Sequence, residues 1–194
     1  MSDVWRPWDP EGSRPEEPGK EGGGPDPEPI VRTVRLAFLL AGVLVALLVN
    51  AGLHPLWTGS GRADRSLLVT GVVGLLVLGI LGAATWALRP AHLLVVGKRA
   101  LDHPDPRQRR PRAERARAMG FRGLAMGWAT QAMLLGLVPA FAGLVLEQLH
   151  GLPWELLTFA GASLLAGFVY QRQVTDAVRR AVDDPELRAS YGAR

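Results

Sequence analysis

From Leu67 to Leu88 the chain carries no charged side chain, and the stretch is dominated by Leu, Val and Gly. A helix rises about 1.5 Å per residue, so roughly twenty apolar residues cross a hydrocarbon layer about 30 Å thick. Such a segment must be helical, because its backbone N–H and C=O groups find no water to bond. Three further segments read the same way. Residues 34–53 (VRLAFLLAGVLVALLVNAGL) contain one charge, Arg35, placed near the start where its side chain can reach the headgroups. Residues 124–146 contain none, and the shorter segment 154–170 has only Glu155 at its start. These four spans predict an all-α membrane protein, a four-transmembrane-helix bundle over residues 31–182.

Aromatic placement agrees with these limits. Trp57, Trp86, Trp128, Trp154 and Tyr170 fall at or near the ends of the spans, where an amphipathic ring can sit half wet and half dry. The loop 89–122 holds ten basic residues against Asp102, Asp105 and Glu114. The connection after span one has only Arg62 and Arg65, and the one after span three has none. The positive-inside rule then places this loop and both termini in the cytoplasm of a multi-pass cell-membrane protein.

Residues 1–30 form an acidic, Pro/Gly-rich segment with little to bury, expected to be a disordered cytoplasmic tail; residues 183–194 form a second cytoplasmic tail. Within the loop, residues 91–101 are apolar enough to lie along the interface, and DHPDPRQRRP is interrupted by prolines. The cluster Arg107, Arg109, Arg110, Arg112, Arg115 and Arg117 reads as a topology anchor, or as a surface for anionic lipid headgroups. Nucleic acid is not an expected partner, since no recognition fold presents these charges. Residues 171–182 should extend span four as a helix, ended by Asp183–Asp184–Pro185.

The two outward connections begin alike, with Leu53–His54–Pro55–Leu56–Trp57 and Leu149–His150–Gly151–Leu152–Pro153–Trp154. This similarity points to two repeated helical hairpins. It also gathers polar groups at the outer rim: Asn50, His54, Glu147 and His150, with Gln148 and Glu155 beside them. Should the hairpins pack together, imidazoles and carboxylates would meet there and could take up protons or a metal.

No charge falls near mid-membrane, where one would mark a functional pathway. Gln131 is the polar side chain most costly to leave facing lipid, and is expected to bond a neighbouring helix. Gly123 and Gly127 form GxxxG at the start of span three, Gly136 continues the small-residue series, and Pro139 should kink the helix. There is no cysteine, no nucleophile–base pairing, no phosphate-binding loop and no HExxH sequence. No enzyme activity, cofactor or resident metal is therefore expected. The reading is an interaction, scaffold or accessory subunit in the bilayer, with a membrane-protein partner or further copies of itself. The alternative is a small-solute channel or transporter subunit acting as an oligomer.

Overall fold

The computed structural model describes residues 26–57, 67–101 and 106–191. Among them the chain is entirely helical: α1 (Glu28–Trp57), α2 (Leu67–Ala87), α3 (Pro90–Leu101), α4 (Pro106–His150), α5 (Pro153–Asp183) and α6 (Pro185–Tyr191). Four helices open on proline, where the missing N–H is no loss. The N-terminal tail and the connection 58–66 lie outside the described residues, as does the joint 102–105.

Three helices are long and apolar enough to cross a membrane: Glu28–Leu53 within α1, Val69–Ala87 within α2 and Ala118–His150 within α4. Their leucines and valines are exposed in numbers that water would not tolerate, among them Leu39, Leu47, Leu75, Leu78, Leu134 and Val145. The chain is thus membrane-embedded. α5 falls short of the same measure, because Glu155 stands in its first turn and the charged segment from Arg172 onward occupies its second half.

The loop expected at 89–122 is largely folded. α3 turns back after Arg89 and packs on α4, α5 and α6. Its Leu93 is buried, and a Cβ at Gly97 would lie 3.3 Å from the Trp128 ring. Residues 106–119 belong to α4, which breaks only at Gly120 (φ 60°, ψ −177°), a conformation that suits glycine. α6 packs at the break itself, with the Phe121 and Tyr191 rings 6.0 Å apart. Leu93, Trp128, Val178, Leu187 and Tyr191 share one core, so α3, α6 and the ends of α4 and α5 form a headpiece. α5 stops at Asp183 as expected from the sequence, and Asp184 serves both sides of the stop. Its N–H bonds the Arg180 carbonyl, while its Oδ1 accepts from the N–H groups of Glu186 and Leu187. Lys98 of α3 locks this corner, 2.8 Å from Asp184 and 3.0 Å from Glu186.

Below the headpiece α4 and α5 run antiparallel from the turn at Gly151, and α1 and α2 each pack on this pair. α4 and α5 approach closely at Gly143, where a Cβ would meet Phe159 Cβ at 2.6 Å and the Leu156 backbone at 3.2 Å. Among the described residues every lysine and arginine lies at the headpiece end. The described part of the rim at the Gly151 turn has none.

Pro139 leaves the torsions of α4 helical, and its effect is met by a side chain from α5. The proline has no N–H for the Leu135 carbonyl, and its ring crowds the preceding turn. The neighbouring pair, Ala140 N–H and Gly136 C=O, is bridged by Ser163. The Ser163 hydroxyl accepts from Ala140 N–H at 3.0 Å and donates to the Gly136 carbonyl at 2.6 Å. A side chain has entered the helix ladder, which satisfies both groups inside an apolar contact.

Candidate functional site

The polar chemistry of the molecule collects at the rim opposite the headpiece. Three features of the chain put it there. α4 ends at His150, whose ring therefore sits at the negative end of a helix dipole. Gly151 then adopts φ 67°, a left-handed conformation that costs glycine little, and its N–H closes back on the Glu147 carbonyl at 2.6 Å. Pro153 starts α5 after Leu152, which offers no side-chain cap, and Glu155 occupies the first turn. A carboxylate there faces the uncompensated N–H groups of the helix start.

The turn folds these two side chains onto each other. His150 Nδ1 lies 3.1 Å from both carboxylate oxygens of Glu155. Thr70, one turn into α2, donates its hydroxyl to Glu155 Oε1 and lies 3.5 Å from His150 Nδ1. Glu155 is 0% exposed and His150 6%. The cluster therefore joins α2, α4 and α5 through a buried carboxylate with two polar partners. In the tautomer with its N–H at Nδ1, the imidazole donates to the Glu155 carboxylate. Glu147, one turn earlier in α4, is a second buried carboxylate at 2% exposure, accepting from the Gln148 side-chain amide at 2.8 Å. It lies beside Gly52 of α1, where an added Cβ would run into Leu156 Cδ2 and meet Leu144 Cδ1 at 3.0 Å, so the bare backbone there makes room for these two leucines.

Of the rim residues singled out from sequence, His150 and Glu147 are thus buried here, and Glu155 joins His150. Asn50 is exposed on α1, and the His54 side chain lies outside the described residues. Thr70 carries no motif, yet its place one turn inside the apolar span puts it level with the rim. Among the described residues no three His, Asp or Glu side chains are grouped as metal ligands.

The packing residues take different positions. Gly136 lies against α5, where a Cβ would be 3.7 Å from Tyr170 and 3.8 Å from the Gly167 backbone. Gly127 faces open space, and a Cβ on Gly123 would meet only the Met119 side chain of its own helix. Pro139 is wholly buried. Gln131 is exposed, with no hydrogen bond to another described residue, in place of the helix-to-helix bond expected for it. The physical reason is the face it occupies: Gln131 lies beside exposed Leu134, away from the buried Ala129 and Ala132 that meet the other helices. The bonds between helices at this end of the bundle come instead from α5, where Tyr170 donates to the Leu81 carbonyl and Gln173 to that of Thr85. Of the six loop arginines, Arg115 is exposed on α4; the side chains of Arg107, Arg109, Arg110, Arg112 and Arg117 lie outside the described residues.

No known protein family, curated protein or solved structure matches the chain.

Proposed function

We propose that the protein is a four-span accessory subunit of the cell membrane, which presents its headpiece to a partner on the cytoplasmic side. The observation that carries this reading is the headpiece itself. A cluster of helices in which Leu93, Trp128, Val178, Leu187 and Tyr191 extend the core of the bundle stands on its basic end, tied by Lys98 to the α5–α6 corner. A chain that served only to cross the bilayer would need no such structure.

Two further observations support the topology. Leu157, Leu164, Leu165 and Phe168 of α5 are exposed over the same depth as the lipid-facing residues of α4, which favours α5 as the fourth span despite its charged second half. Among the described residues lysine and arginine segregate to the headpiece end, and in the sequence only Arg62 and Arg65 fall in the connections at the other end, which favours the headpiece end, and both termini with it, as cytoplasmic. The rim cluster then serves as an internal tie among α2, α4 and α5 on the outer side.

Extraction in mild detergent followed by quantitative co-purification tests the reading. A stoichiometric partner, lost when Leu187 and Tyr191 are replaced by alanine in a chain that still elutes as a folded species, supports it. A homo-oligomer that purifies alone and carries solute flux in liposomes overturns it in favour of a transport subunit.

A further inference from the structure

Between α1, α4 and α5 runs an open apolar groove of about 430 Å³, floored by Gly42, Gly136 and Gly167 and walled by Phe38, Leu164 and Phe168. The small residues create it: a Cβ at Gly42 would touch nothing nearer than Leu164 at 4.0 Å. Towards the headpiece the groove passes Phe168 and Gln171, which it shares with a second pocket of about 320 Å³. That pocket is lined by Arg35, Arg172 and Arg179 with Thr175 and Asp176. Three guanidinium groups face one carboxylate, although Arg179 also pairs with Glu28 at 3.3 Å.

Thr175 sharpens the chemistry. A threonine inside a helix ordinarily bonds its hydroxyl to the carbonyl four residues earlier, as Thr85 and Thr130 do here. Thr175 is 6% exposed, lines the basic pocket, and its hydroxyl has no partner among the described residues. A buried hydroxyl without a partner calls for an explanation; the oxygen is covered here, and a rotation about χ1 would bring it to an acceptor in the pocket. Arginine matches the oxygens of a phosphate by paired N–H donors. The whole sequence along the groove, apolar for the length of the bundle and then cationic at the edge of the apolar band, repeats the order of a phospholipid from acyl chain to headgroup.

We propose that this groove binds one membrane phospholipid with an anionic headgroup, its acyl chain lying over Gly42 and Gly167 and its phosphate held by Arg35, Arg172 and the Thr175 hydroxyl. The site is distinct from the arginines at the start of α4, and it does not depend on the accessory role. It gives a common use to Arg35 of α1 and Arg172 of α5, which line one pocket.

The test is native mass spectrometry of the full chain in mild detergent, titrated with dioleoyl phosphatidylglycerol, dioleoyl phosphatidylcholine or glycerol 3-phosphate. The expected result is one retained phosphatidylglycerol, bound about tenfold more tightly than phosphatidylcholine, whose choline the guanidiniums repel. Arg172→Ala and Arg35→Ala should each weaken it about fivefold, while Arg115→Ala leaves it unchanged. Thr175→Val should weaken it without altering helix content by circular dichroism, which separates lost binding from lost folding. Gly42→Leu should abolish retention of the lipid by filling the groove. Equal retention of both lipids, an Arg115→Ala loss as large as that of Arg172→Ala, or tight binding of glycerol 3-phosphate that ignores Gly42→Leu would each overturn the proposal. So would a dimer that Gly42→Leu converts to monomer with no lipid retained, since the groove would then be filled by a second copy.

Discussion

Ser163 stands opposite Pro139 and completes the stretch of helix that the proline interrupts. Its hydroxyl bridges the Ala140 N–H and the Gly136 carbonyl from the neighbouring helix. Removing it should leave two backbone groups unsatisfied in an apolar contact. Ser163→Ala is expected to destabilise the protein by about 1–2 kcal/mol, a figure held down by the modest worth of hydrogen bonds within membranes. With Pro139→Ala the ladder can close on itself, so Ser163→Ala in that background should cost a few tenths of a kcal/mol at most. Unfolding of the four variants in mixed micelles gives the coupling directly; additive costs would rule out the bridge.

The rim cluster makes a second prediction. Glu155 is the shared partner of His150 and Thr70, which come from different helices. Glu155→Ala should therefore exceed Thr70→Val in cost, the first by about 3 kcal/mol and the second by about 1 kcal/mol. Glu155→Gln should fall between them, since it keeps an acceptor. The same micelle unfolding measures the order, and a Thr70→Val cost equal to that of Glu155→Ala would contradict the shared-acceptor geometry.

The headpiece corner should respond to pH in a defined window. The hydrogen bond from Lys98 holds the Asp184 carboxyl below its ordinary value, and Asp184, then Glu186, hold the Lys98 ammonium above its own. For the aspartate, the stabilisation is present above its unfolded pKa and is lost as pH falls through the lowered folded one. For the lysine, it is present below the unfolded pKa and lost as pH rises through the raised one. The difference in melting temperature between the wild-type chain and Lys98→Ala should accordingly be flat from about pH 5 to 9 and close below about pH 4. A difference that varies across neutral pH would assign the corner to other groups. Its size should be small, as for other exposed ion pairs.

Gly120 predicts a local effect in the same part of the molecule. Its torsions are open to glycine and strained for any other residue, and the nearest atom to an added Cβ is the Tyr191 carbonyl at 3.7 Å. Space is not the obstacle; the backbone is. Gly120→Ala should cost about 1–3 kcal/mol and expose Tyr191, whereas Gly127→Ala, in open space, should be neutral or slightly stabilising. Hydrogen exchange in α6 and quenching of tyrosine emission follow the two variants.

Topology is open to direct measurement because the chain has no cysteine of its own. A single cysteine at Asn50 or Leu149, both exposed near the rim, should react with an impermeant maleimide added outside intact cells. One at Ser190 should react only after the membrane is opened. Labelling of Ser190→Cys from outside would reverse the orientation or remove α5 as a span.

What could be read from the residues and what could not divide along physical lines. α2 is plain because an uncharged run of that length has one stable home. The end of α5 is plain because Asp184 and Pro185 are local signals. The pairing of Thr70 with Glu155 is not plain: the two are far apart in the chain, and only the depth of each within its helix brings them level. The glycines show the same limit. Gly123 and Gly127 carry a familiar spacing, but Gly143 makes the close contact, because the face a glycine occupies decides its use and spacing alone does not name the face. The headpiece was hidden for a related reason. α3 is short and mixed in character, and its Leu93 and Gly97 gain meaning only once Trp128 and Leu187 stand beside them.

α1 and α2 are neighbours in sequence, yet each finds its main packing partners in α4 and α5. A ribosome delivers them first. On leaving the translocation machinery they have little to hold each other, and each must persist in lipid as a separate helix until the second half arrives. The packing of α1 and α2 therefore waits on the α4–α5 hairpin, which is made after them.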